Sequence, residues 1–149
     1  MKPVLRKKFI SFGICLTAIM ALMIPCVFAT YQNNNIGFSF RIQGSVDNAQ
    51  ETKKRFRDTT DPSNSWKVQM VTSGEGKGTI TNFWLETTNG RSASSEFSIK
   101  QGDVARYMKA NKRGNHTNVL LTAENNNFFS TKTYNVSGYW DEETGIYLK

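Results

Sequence analysis

Cysteine is confined to the front of this chain. Both cysteines, Cys15 and Cys26, precede residue 30, so residues 30–149 can form no disulfide and no cysteine–metal site. Histidine is almost missing as well, and His116 is the only one. Zinc needs several His or Cys ligands, and a Ser–His–Asp arrangement could draw only on His116. No G-x-S-x-G elbow occurs in residues 30–149. The stretch "SGEGKGT" has the look of a phosphate loop but lacks its parts: Val71 stands where the first glycine belongs, and Gly78 stands where Ser or Thr should follow Lys77. After the first thirty residues there is no long hydrophobic run.

What is present begins with a leader. Lys2, Arg6, Lys7 and Lys8 precede an apolar run from Phe9 to Phe28, and Val27-Phe28-Ala29 offers small residues at the two positions a signal peptidase reads. Charge, apolar stretch and cleavage site in that order predict a signal peptide over 1–29, cut between Ala29 and Thr30. A retained membrane anchor is the alternative, since about twenty residues suffice to span a bilayer; Ser11, Gly13, Thr17 and Pro25 speak against it. Modification of Cys26 as a lipoprotein is disfavoured by Pro25. Cleavage leaves a secreted chain with no stable membrane span. It also removes four of the nineteen basic residues and none of the twelve acids, so the net charge falls from +7 to +3. The basicity is mostly a targeting feature, and no nucleic-acid partner is expected. Residues 30–149 suffice for one domain.

Residues 30–149 are rich in Asn, Thr, Ser and Gly, and they alternate with the period of a strand. "IGFSFRI" places Ile36, Phe38, Phe40 and Ile42 on one face. "SWKVQMV" does so with Trp66, Val68 and Met70, "FSIK" with Phe97 and Ile99, "TNVLLTAE" with Val119, Leu121 and Ala123, and "TYNVSGYW" with Tyr134 and Val136. Asn89-Gly90 suits a two-residue type I′ hairpin, which pairs Ile80 with Ile99 and puts Ile80, Trp84, Phe97 and Ile99 on one face. "FWL" at 83–85 is apolar on both faces, as in a central strand. "VARYMKAN" reads as a strand, and "DNAQETKKRFRDT" has room for a short helix. Short strands separated by turn-rich stretches predict an all-β antiparallel β-sandwich of about seven to eight strands in a single domain.

Three groups of side chains have chemical potential. Asp141-Glu142-Glu143 follows Tyr139-Trp140 directly. In an extended chain Asp141 and Glu143 share a side, so they are candidate calcium ligands or, with Glu124, a glycosidase pair; the competing expectation is a solvated strand end. No other cofactor is implied. Arg106, Tyr107 and Lys109, near Lys112 and Arg113, form a basic–aromatic patch suited to an anionic polymer. Tyr139 and Trp140 are candidate stacking surfaces for sugars. His116 in "GNHTN" reads as a turn histidine.

As a set, "IGFSFRI", "SGEGKGTITNFWLE", "AENNN", "SGYWDEETG" and Trp66 of "DPSNSWKVQM" resemble a family of small secreted Gram-positive bacterial proteins known as a domain of unknown function. The likeness spans about Ile36 to Gly145. It implies an exported β-sandwich and supplies no catalytic residues. A looser likeness of size, export and aromatic-rich strands links the chain to lactococcin-type bacteriocins, which act at the cell envelope, although this chain is larger. The combined expectation is a non-enzymatic extracellular or envelope-binding protein, bacteriocin-like, whose partner is a cell-wall or membrane-surface component. A carbohydrate-binding module and a carboxylate-based glycoside hydrolase are the alternatives.

Overall fold

The computed structural model describes residues 32–44, 49–50 and 53–149, with the side chains of 49–50 left aside. The leader and the Ala29–Thr30 cleavage pair lie outside the described residues. Among the described residues nine strands follow one another: β1 Ile36–Ile42, β2 Ala49–Gln50, β3 Arg55–Arg57, β4 Trp66–Ser73, β5 Ile80–Thr87, β6 Phe97–Lys100, β7 Arg106–Met108, β8 Thr117–Asn125 and β9 Tyr134–Asp141. A single 3-10 turn, Lys112–Gly114, is the only helical element among the described residues. One sheet has the order β1-β9-β4-β7 and the other β2-β8-β5-β6, with β3 beside β2 on the same edge of β8. All pairs are antiparallel.

The strand alternation explains the core. Phe38, Phe40, Ile42, Trp66, Val68, Met70, Val136 and Trp140 of the first sheet pack against Phe83, Leu85, Ile99, Val119, Leu121 and Ala123 of the second. Phe38 meets Phe83 edge-on at 5.5 Å between ring centres, and Trp66 meets Phe97 at 6.1 Å. One core between two sheets makes the fold an all-β sandwich. Gly138 shows how closely β9 approaches β4, because a Cβ there would lie 1.9 Å from the Gln69 carbonyl oxygen. Beside it the ladder slips, so that Met70 faces Gly138 and Thr72 faces Ser137, leaving Val71 as a bulge.

Two local expectations are corrected. The segment with room for a helix forms β2 and β3, because Arg55–Arg57 finds an open edge on β8. The 87–91 turn is also different. Gly90 N donates to Thr87 O at 2.9 Å and Thr87 N donates to Arg91 O at 2.9 Å, with positive φ at Gly90 and not at Asn89. That is a three-residue loop with a glycine bulge instead of a two-residue type I′ turn. The loop sets Glu86 opposite Ser92, and a two-residue shift before the Phe83–Phe97 pair then places Thr81 opposite Ile99 and Ile80 opposite Lys100. A one-residue slip turns each side chain over. Phe83 and Leu85 face the core, Ile80 is exposed, and Trp84 lies on the outer face, its indole donating to Glu86. β5 is nevertheless central, between β8 and β6.

Strand direction sorts the loops onto two ends. The β3–β4, β5–β6 and β7–β8 loops, residues 32–35 and the tail after Asp141 lie at one end. The β4–β5, β6–β7 and β8–β9 loops lie at the other.

Candidate functional site

The acidic run is not a solvated strand end: Asp141 and Glu142 are buried and Glu143 is half-buried. β9 lies between β1 and β4, and its last residues are covered by residues 32–35 and the β3–β4 loop. Asp141 is 1% exposed and Glu142 6%. The Asp141 carboxylate accepts from the backbone N–H of Asn34 and, at 3.4 Å, from that of Glu143. Burial pushes the Asp141 carboxyl up to about 6; the two amides pull it down, and the Glu142 carboxylate raises it further. Glu142 pairs with Arg55, and its backbone carbonyl accepts from Arg57 at 2.6 Å. Glu143 takes the amides of Asp58 at 3.1 Å and Thr59 at 2.9 Å, one on each oxygen.

The fully buried Arg57 also donates to the carbonyls of Asp61 and Asn64. Beyond the acids, Thr144 N donates to Ser65 O, Gly145 N to Asn64 Oδ1 and Leu148 N to Ser63 O. "DEETG" thus ties the tail, the β3–β4 loop and residues 32–35 together. All four oxygens of the Asp141 and Glu143 carboxylates accept a backbone amide. No group of three His, Cys, Asp or Glu side chains is placed to hold a metal ion among the described residues. Glu124 is not brought to this cluster. It lies on β8 in the other sheet, paired with Asn82, where burial and the Glu96 carboxylate raise its pKa.

The basic–aromatic patch is divided. Tyr107 faces Lys67 across the β4–β7 pair, and its hydroxyl accepts from Asn33 at 3.1 Å. Lys109 is exposed and shares that parity. Arg106 points the other way and donates to Ser98 O on β6 at 3.3 Å. Tyr139 is 45% exposed on the outer face, between Gly37 and Gln69. Trp140 is fully buried in the core, because neighbours on a strand face opposite sides, and its ring is closed to a sugar. His116 is an exposed turn residue with positive φ beside Asp58.

The opposite end has a different chemistry. The β8–β9 loop turns at 127–130, where Ser130 N donates to Asn127 O at 3.0 Å. Phe128 and Phe129 occupy the two corners of that turn and are 61% and 87% exposed. Their rings touch edge-on, 5.4 Å between centres. Asn125 and Asn127 side chains accept from the amides of Asn127 and Phe129, at 2.9 and 3.1 Å, which holds the turn's shape. Val104, 81% exposed, belongs to the β6–β7 loop at the same end. Lys77 of the β4–β5 loop lines one hollow with Lys100 and Asp103, and Glu75 of the same loop lines another with Lys132.

The chain belongs to the family described as "Protein of unknown function (DUF2712)". That family's model matches residues 25–144, which contain all nine strands and the acidic run. No curated protein and no solved structure matches the chain. Membership bears out the resemblance at the level of a family of unknown function. The sequence reading of this DUF2712 chain passed over Phe128–Phe129. The available signal was local: two large apolar residues inside "AENNNFFS", a turn-rich stretch where strand alternation cannot bury them.

Proposed function

We propose that this protein is an exported, non-enzymatic binding module that attaches to the cell envelope through its β8–β9 end. The observation that carries this reading is Phe128–Phe129 at the corners of a side-chain-pinned turn. Turn corners normally hold polar residues, and soluble domains seldom hold adjacent aromatics in water without use for them. Each ring gains about 1.5–3 kcal/mol on leaving water, the scale of reversible attachment to a bilayer interface. Lys132, in the same loop, suits an anionic headgroup. The non-enzymatic part rests on the carboxylates: Asp141 and Glu143 are occupied by backbone amides, and Glu124 lies in the other sheet. A bacteriocin-like role is consistent with envelope attachment and would show as growth inhibition of other cells by the purified protein.

The test is co-sedimentation with vesicles of zwitterionic lipid, with and without anionic lipid, at low and high salt. Binding that survives high salt and is lost in Phe128→Ser/Phe129→Ser is expected. Binding that ignores the double substitution overturns the reading. A second reading, carbohydrate binding, is favoured by Tyr139 on the polar outer face; purified cell-wall polysaccharide that retains wild type but not Tyr139→Ala would support it.

A further inference from the structure

Lys67 has an unusual setting. It lies on β4, inside its sheet, and is 4% exposed. Its Nζ donates to two carboxamide oxygens, Asn33 Oδ1 and, at 2.8 Å, Asn35 Oδ1. The Asn33 carboxamide is held from its other side, where Nδ2 donates to the Tyr107 hydroxyl at 3.1 Å. Tyr107 and Asp141 are the cross-strand partners of Lys67 on its two neighbours, β7 and β9. Asp141 in turn fixes the Asn34 amide, and so the backbone that carries Asn33. An amine, a carboxamide and a hydroxyl on the carboxamide nitrogen thus meet, with Asp141 next in the same cross-strand row.

We propose that Lys67 and Asn33 are joined by an intramolecular amide bond, formed when the lysine amine displaces ammonia from the asparagine side chain. The unprotonated Nζ attacks Cγ of Asn33, one bond from the oxygen it already touches. The Cγ–Nζ bond forms and the Cγ–Nδ2 bond breaks. One Nζ proton passes to Nδ2 through the Tyr107 hydroxyl, which touches that nitrogen. Nδ2 leaves as ammonia, and the surplus proton of the original ammonium leaves with it. No oxidant, reductant or further reactant is needed. Tyr107 is the catalytic residue, and Asp141 is a positioning residue. The link fastens residues 32–35 to an inner strand and constrains the unfolded chain as a disulfide does, in a fold whose residues 30–149 contain no cysteine.

The experiment is intact mass analysis of the purified protein, produced from the full chain, with its N-terminus sequenced and its proteolytic fragments mapped. The expected result is a mass lower by one ammonia and a branched fragment joining Asn33 to Lys67. Lys67→Arg and Asn33→Ala abolish the loss. Asn35→Ala keeps it. Tyr107→Phe lowers the linked fraction in fresh protein while the β-sheet circular dichroism stays unchanged. An unmodified mass in folded wild type overturns the proposal. So does an ammonia loss that maps to a backbone succinimide, or one that survives Asn33→Ala.

Discussion

The two ends of the sandwich put their unusual residues to opposite uses. At the tail end, charge is drawn inside: Asp141, Glu142 and Arg57 are all buried and bonded to segments that pass over them. At the β8–β9 end, apolar groups are turned outside, and Phe128, Phe129 and Val104 are the three most exposed large hydrophobics among the described residues. Each arrangement costs free energy where it stands. Buried charge loses hydration, and exposed aromatics order water. The tail end recovers that cost within the molecule through hydrogen bonds. The β8–β9 end recovers little within it beyond the edge-on contact of the two rings, which is why we place the external contact there. The chemically rich motif and the surface we propose for outside contact are thus different places in this protein.

The strongest way to break the comparison is Arg57→Ala. Three backbone carbonyls lose a charged donor of about 1.5–3 kcal/mol each, partly replaced by water, so urea unfolding should lose on the order of 3–5 kcal/mol. Glu143→Ala frees the Asp58 and Thr59 amides and should cost about 1–3 kcal/mol in the same assay.

Asp141 sharpens the comparison through pH. Its folded pKa, about 6, lies above the ordinary 3.8, so the folded state binds the proton more tightly. The stability this contributes is complete below about 4 and is lost as pH rises through about 6. Asp141→Asn should flatten that part of the pH–stability curve; an unchanged slope would show that the carboxyl is not shifted. The smallest effect is expected at the other end. Phe129→Ser should change the unfolding free energy by no more than about 0.5 kcal/mol, because its ring has no core contact to lose.

Much of the fold was legible because period-2 alternation is a local signal with one solution. "IGFSFRI" and "SWKVQM" point their apolar residues inward as the pattern demands. The 80–99 register was not legible. It depends on a three-residue turn, which sets Glu86 opposite Ser92, and on a further two-residue shift before the Phe83–Phe97 pair, and together they turn over Ile80 and Trp84. Arg55–Arg57 was illegible as a strand because its stability comes from the β8 edge, not from its own composition. The acidic run misled in one respect. Sequence shows three adjacent carboxylates, but their burial is set by the β3–β4 loop, more than seventy positions away in the chain, and by residues 32–35. Phe128–Phe129 stood in plain view and has no periodic partner to mark it.

The central claim is that the β8–β9 end meets the outside while the tail end serves the fold. Hydrogen exchange of the backbone amides, measured with and without anionic lipid vesicles, tests it most directly. The account predicts new protection at residues 126–133 and 101–105 on binding, with residues 141–148 unchanged. New protection confined to 141–148, or none anywhere despite bound protein, would contradict it.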